Sequence, residues 1–225
     1  MRARILFITG TDTGVGKTLL TSLLTRYLRE GGVAVAALKP ISSGDRADAR
    51  ALRASLDGAL TLDEINPWHF RAPLAPLLAA RREHRRVDVA SVIAHVGRIQ
   101  RRFELVLMEG AGGLLSPLGE NFNARDLIGR LRADPIIVCP NRLGVVNHAL
   151  LTVEALPRAT ARRAQVVLMS PRWPDLASRT NPQLLAGILG SDRTHEFPWL
   201  TVAVPSGREV ASIHVRRVLA ALLGR

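Results

Sequence analysis

Lysine is nearly absent from this sequence. Among its 31 lysine and arginine residues, only Lys17 and Lys39 are lysine. Where any positive charge will serve, the chain uses guanidinium. The two positions that keep a compact ammonium with three rotatable donors are therefore the first places to look for chemistry. Cysteine is scarcer still: Cys139 stands alone, which excludes an internal disulfide. It closes the apolar run Ile136-Ile137-Val138, where a small buried hydrophobe fits.

Aromatic residues make up only 4% of the chain. The formal charge of +12 invites a polyanionic partner, and arginines do cluster, at Arg81, Arg82, Arg85 and Arg86 around His84, at Arg98, Arg101 and Arg102, and at Arg158, Arg162 and Arg163. No aromatic is interleaved with them as a base-stacking platform requires, so they read as a solvated face and no nucleic-acid partner is expected. Also lacking is any run of roughly 20 apolar residues, the length of a membrane span. The chain enters a strand-like run at once rather than a signal peptide, so a cytoplasmic protein without a membrane partner is expected. At 225 residues and 47% hydrophobic composition it can bury a real core, and one domain over 1–225 is expected.

What the chain does have is alternation. Residues 5–9 are an unbroken apolar run, as in a parallel strand buried on both faces. A Gly-rich loop follows, then helical periodicity over 19–30 stopped by Gly31-Gly32, then a second strand over 33–38. Later helices are expected at 47–56, 77–82, 89–102, 123–131, 147–156, 183–189 and 210–223, with strands at 105–108, 136–139 and 166–169. Residues 66–76 read as a Pro-containing connection, 171–174 as a loop and 198–200 as a turn. Strand-helix alternation of this kind predicts a doubly wound α/β domain with its ligand site at the C-terminal ends of the strands.

The segment Gly10-Thr11-Asp12-Thr13-Gly14-Val15-Gly16-Lys17-Thr18-Leu19 sits between the first strand and the first helix. Glycines there let backbone N–H groups converge on phosphate, the helix N-terminus adds partial positive charge, Lys17 reaches terminal phosphates and Thr18 can ligate Mg²⁺. The strict pattern G-x-x-x-x-G-K-[ST] fails by one residue, because Thr11 stands in place of its first glycine. Two acids suit the metal that accompanies a nucleotide. Glu109 ends the strand at 105–108 ahead of Gly110-Ala111-Gly112-Gly113, where a buried acid needs a counter-charge. Asp48 opens the helix after the second strand, where an acid also commonly serves the helix dipole.

These motifs, together with Lys39-Pro40-x-x-Ser43-Gly44, Pro117-Leu118, Leu143-Gly144-x-x-Asn147-His148 and Pro198-Trp199-Leu200, fall in an order and spacing that resembles dethiobiotin synthetase over nearly the whole chain. That family also lengthens its phosphate loop by one residue. The resemblance implies a P-loop NTPase fold, a three-layer, mostly parallel doubly wound sheet. It also implies a reaction: one amine of 7,8-diaminopelargonate captures CO₂ as a carbamate, the carbamate attacks the γ-phosphate of MgATP, and the second amine closes a cyclic urea. By motif position, Lys39 and Ser43 would hold the carbamate, with Thr13 and Lys17 between it and the γ-phosphate. Residues 14–19, Asp48 and 109–112 (Gly110, Ala111, Gly112 among them) would bind ATP, and Thr18, Asp48 and Glu109 would hold Mg²⁺. The resemblance further implies a homodimer in which a helix N-terminus at Gly144, Val145 and Asn147 binds the substrate carboxylate of the other subunit.

Two departures stand out. The connection from Gly44 to Asp48 is short, leaving Asp45 as a rival metal ligand. Where many relatives carry an adenine-reading asparagine, this chain has Ser170-Pro171, and a hydroxyl lacks an amide's paired donor and acceptor; Pro198, Trp199 and Leu200 remain as base contacts. Other readings fit less well. A chromosome-partitioning ATPase would place a lysine where Asp12 stands, a cobyrinate-type amidase would need a glutaminase domain, and a kinase would leave Lys39-Pro40 with Ser43 unexplained.

Overall fold

The computed structural model describes residues 3–201, 210 and 212–224. In chain order the elements are β1 (Arg4–Gly10), α1 (Lys17–Glu30), β2 (Val35–Leu38), β3 (Ile41–Ser43), α2 (Ala47–Ser55), α3 (Leu62–Ile65), β4 (Trp68–Phe70), α4 (Pro76–Arg82), α5 (Val89–Gln100) and β5 (Leu105–Glu109). There follow β6 (Pro117–Gly119), β7 (Phe122–Asn123), α6 (Ala124–Leu131), β8 (Asp134–Pro140), α7 (Val145–Glu154), α8 (Arg158–Ala161), β9 (Gln165–Met169), α9 (Leu176–Leu189), β10 (Thr194–Phe197) and α10 (Ile213–Leu222).

Six strands form one parallel sheet in the order β10-β9-β8-β1-β5-β2, flanked by helices. The strands are largely apolar because both faces of the sheet are covered: every residue of the inner strand β5 and of the edge strand β2 is buried. The chain runs from β1 outward to β2, back through β5, and then crosses to β8 on the other side of β1. The direction of winding therefore reverses around β1. That switch point opens a crevice at the C-terminal ends of the strands, and the glycine-rich loop leaves β1 directly into it.

Several local features follow from single residues. Leu20, Leu23, Leu24 and Leu28 of α1 face the core at helical spacing, and Gly32, at φ 76°, ends the helix. Asn123 and Asp126 form a capping box that starts α6, as Thr61 and Glu64 do for α3.

The structure corrects some expectations. Residues 66–76 include a strand, β4, paired in parallel with β3; segments this short carry no usable periodicity. Helix α9 starts at Leu176, not Gln183, and runs through Pro182. Proline removes the donor that would have reached the Ser178 carbonyl, and the Asn141 side-chain amide donates to that oxygen instead, at 2.7 Å. Asn181 donates to Asn141 Oδ1 at 3.0 Å, so a buried amide pair ties α9 to the turn after β8. Edge strand β10 was not expected, since only Phe197 is buried in it. Helix α10 starts at Ile213 rather than Val210; position 211 lies outside the described residues. The lone Cys139 is buried in β8, and burial pushes its thiol up to about 12, as befits a packing residue.

Candidate active site

The phosphate loop is shaped by backbone that favours glycine. Gly14 and Gly16 take φ 72° and 99°, and a Cβ on Gly16 would stand 3.0 Å from Met169 Cε. Helix α1 then begins at Lys17 with no side-chain cap and no acid in its first turn. Its free N–H groups and positive dipole end are left for an outside anion. Lys17 folds back over the loop, its Nζ donating to the Asp12 carbonyl at 2.7 Å. Burial, reinforced by the nearby Lys39 ammonium, brings the Lys17 pKa down to about 8.

Lys39 follows β2 directly. It lies beside Glu109 because β2 pairs with β5, Leu38 opposite Met108. Lys39 Nζ donates to Glu109 Oε1 at 2.6 Å and also to Asp48 Oδ2. Burial works against the Lys39 charge, but Glu109 and Asp48 outweigh it and hold the pKa above the ordinary lysine value. For Asp48 burial likewise acts against the charge, and Lys39 outweighs it, so its carboxyl sits below the usual range. Thr18 Oγ1 donates to Glu109 Oε1 at 2.8 Å. The other carboxylate oxygen, Glu109 Oε2, is buried with no hydrogen-bond partner among the described residues. An orphaned anionic oxygen beside a threonine hydroxyl and an aspartate is a donor set for a hard cation. Among the described residues no cluster of three or more His, Cys, Asp or Glu could hold a metal unaided. Oxygens from a bound phosphate would complete the coordination, which is how Mg²⁺ commonly sits.

These groups open on one cavity of about 850 Å³. It is lined by Thr13, Gly14, Gly16, Lys17, Thr18, Leu19, Lys39, Ser43, Asp45, Asp48, Glu109, Ala111 and Gly112. Of the two candidate aspartates, Asp45 pairs with Arg50, whereas Asp48 faces Lys39. Val15 packs in the core, and the Gly110 amide is spent on the Ile8 carbonyl, so neither side of these positions lines the space. Sequence reasoning missed the wall formed by Pro73, Leu74, Ala75 and Pro76, which as sequence reads only as a Pro-containing connection. It also missed Ser42 and Ser116. Ser116 is fixed by contacts only the structure shows: its Oγ accepts from the Gly113 amide, and a Cβ on Gly112 (φ 69°) would stand 2.5 Å from that oxygen.

The remaining expected residues lie outside this cavity. Ser170 donates to Glu196 Oε1 at 2.8 Å, at the end of β9 next to Pro171. Trp199 is partly exposed between Pro198 and Leu200, with the Arg172 guanidinium 5.5 Å from its ring centre and 5.2 Å from that of Trp173. Gly144, at φ 88°, opens α7 without a side-chain cap. The Val145 amide is taken by the Arg142 carbonyl, its side chain is buried, and Asn147 is exposed.

A parallel sheet whose switch point holds a glycine-rich loop, an uncapped Lys-Thr helix start and an acid at the end of the neighbouring strand defines a P-loop NTPase. A family model described as an AAA domain matches residues 4–222. By sequence the chain belongs to the ATP-dependent dethiobiotin synthetases. It is 42% identical over 194 residues to the synthetase of Anaeromyxobacter sp. (strain Fw109-5), covering 84% of this chain and 87% of that one. To the synthetase of Anaeromyxobacter sp. (strain K) it is 39% identical, over 93% of this chain and 96% of that one. To that of Bacillus subtilis (strain 168) it is 35% identical, over 82% of each. Among solved structures it resembles the MinD cell division protein of Aquifex aeolicus, with a TM-score of 0.61 at 16% identity over 99% of this chain and 98% of that chain, a likeness of fold alone.

Proposed function

We infer that this protein is an ATP-dependent cyclo-ligase that makes dethiobiotin from 7,8-diaminopelargonate and CO₂, with release of ADP and phosphate, in biotin biosynthesis. One observation carries the assignment of residues: the only two lysines of the chain open on a single cavity, one from the phosphate loop and one from the end of β2.

The reaction needs no covalent enzyme intermediate. One amine adds to CO₂, forming a C–N bond and losing a proton to give a carbamate. A carbamate oxygen displaces ADP at the γ-phosphorus. The second amine then attacks the carbonyl carbon of the mixed anhydride; the C–O bond to phosphate breaks and a second proton leaves. The middle step brings two anions together, and the last expels phosphate, so catalysis rests on fixed positive charge and donors aimed at developing charge. In this reading Lys39 and Ser43 hold the carbamate, while Thr13 and Lys17 bridge it to the γ-phosphate. Residues 14–19 and 109–112 bind the nucleotide phosphates, and Ser170, Pro171, Pro198, Trp199 and Leu200 flank its base. Thr18, Asp48 and Glu109 suit Mg²⁺, which would neutralise phosphate charge; Glu109 Oε2, without a hydrogen-bond partner among the described residues, supports this set.

A homodimer is supported by exposed apolar residues around two helices packed on one another: Leu143 and Leu151 by α7, Leu176, Leu184 and Ile188 on α9. This surface adjoins the uncapped start of α7, where Gly144, Val145 and Asn147 would receive the carboxylate of a substrate bound to the other subunit. One domain and a cytoplasmic setting belong to the same reading; among the described residues no helix is long and apolar enough to cross a membrane.

The test is direct. Purified protein given diaminopelargonate, ¹⁴C-bicarbonate and MgATP is expected to place label in an acid-stable cyclic urea. Absence of that product, with ATPase activity stimulated by DNA instead, would favour a partitioning-type ATPase.

A further inference from the structure

Lys39 lies beyond the main-sheet ladder, since β2 ends at Leu38 and residue 40 is proline, with no N–H. Something else must fix its backbone. The Lys39 amide donates to the Ile65 carbonyl at 3.0 Å, and the Trp68 amide donates to the Pro40 carbonyl at 3.0 Å. Between them Asn66 Nδ2 donates to the Lys39 carbonyl at 2.7 Å. The same fully buried side chain accepts at Oδ1 from Ser42 Oγ, at 3.0 Å, and from Arg46 Nε, at 3.2 Å. Arg46 also donates to the Asn66 and Leu62 carbonyls and is the residue just before α2, whose first turn carries Asp48.

We propose that Asn66 is a positioning residue for the ring-closing reaction: its amide clamps the backbone of Lys39 and, through Arg46, sets the start of α2, so that the Lys39 ammonium and Asp48 are held in one geometry at the cavity wall. Asn66 does not line the cavity. An amide is required because it offers a donor and an acceptor on one planar group, and both are used here. Aspartate has the same shape and keeps the acceptor toward Ser42 and Arg46, but turns a second acceptor on the Lys39 carbonyl. Displacing a catalytic group by about 1 Å can cost roughly 100-fold in rate.

The proposal rests on the assignment of Lys39 to the carbamate, and the experiment separates the two. Because the chain has only two lysines, protein grown on ¹³Cε-lysine gives two side-chain signals, assigned with Lys39→Arg. In Asn66→Asp the Lys39 signal is expected to move while that of Lys17 stays. Turnover should fall roughly 10- to 100-fold with ADP affinity kept within about twofold, a split that general loosening of the fold would not give. A Lys39 signal that does not move, or turnover kept within about threefold, overturns the clamp. Should Asn66→Asp fail to fold, Arg46→Met, which leaves the Asn66 bond to the Lys39 carbonyl in place but removes the link to α2 together with the Arg46 bonds to Leu62, Asp63 and the Asn66 carbonyl, is judged by the same criteria with a smaller fall. If the wild type makes no cyclic urea, the functional reading fails, while the lysine spectrum still tests the clamp.

Discussion

Lys39 and Glu109 meet across adjacent strand ends, Nζ to Oε1 at 2.6 Å, with the Glu109 side chain fully buried and that of Lys39 only 7% exposed. The acid at the end of β5 thus has its counter-charge from β2, and Asp48 shares the same ammonium. Such a pair is worth less than its breakage costs, because removing one partner leaves a buried charge alone.

Lys39→Met is therefore expected to lower stability by about 3–5 kcal/mol, and Lys39→Met with Glu109→Gln by less. Chemical denaturation of both variants checks this; equal losses would mean that Glu109 does not depend on Lys39. The ammonium also competes with any cation for the same oxygens. In Lys39→Met, Mn²⁺ binding without nucleotide, read by electron paramagnetic resonance, should tighten several-fold, and unchanged affinity would show no competition. Lys39→Arg keeps charge but not shape, and most turnover should be lost with the fold intact.

Lys17 gives a proton-linked prediction. Its folded pKa, about 8, lies below that of the unfolded chain. The folded state therefore binds fewer protons between about 8 and the ordinary lysine value, and stability from this group rises with pH across that window; its burial penalty is fully present below it. A phosphate beside Lys17 raises its pKa again. ADP binding at pH 8.5 should take up protons, read by calorimetry in buffers of different ionisation enthalpy. Zero or negative uptake would place Lys17 away from the phosphates.

The carbonyl left open by Pro182 yields a double-mutant cycle. Asn141→Leu alone strands the Ser178 oxygen and should cost about 1–3 kcal/mol. With Pro182→Ala a backbone amide returns to that carbonyl, so Asn141→Leu should cost less in this background, by about 1 kcal/mol. Additive losses would mean that the Asn141 bond contributes nothing there.

The loop, the strand ends and the chemistry of this site were legible because each has a local signature. Gly16-Lys17-Thr18 follows an apolar run, Glu109 ends another, and two lysines stand out in a chain otherwise built on arginine. What stayed hidden depends on contacts distant in sequence. Asn66 is an ordinary loop asparagine until its amide is seen on Lys39, 27 positions away. The wall at 73–76 has no pattern of its own. The first turns of α9 are hidden because Pro182 argues against a helix interior, and Asn141, 37 residues from Ser178, makes it tolerable there. Strand β10 pairs at an edge with mostly half-exposed residues, where alternation fades.

Both lysines are buried, at 6% and 5% exposure, so the outer surface presents guanidinium where most proteins present primary amines. Leaving aside the α-amine, amine-directed acylating agents and cross-linkers have no accessible side chain to attack. A nucleotide bearing an acyl phosphate would meet only the two amines of that cavity, Lys17 in the phosphate loop and Lys39 at its wall, making such a reagent a selective covalent label for the nucleotide cleft.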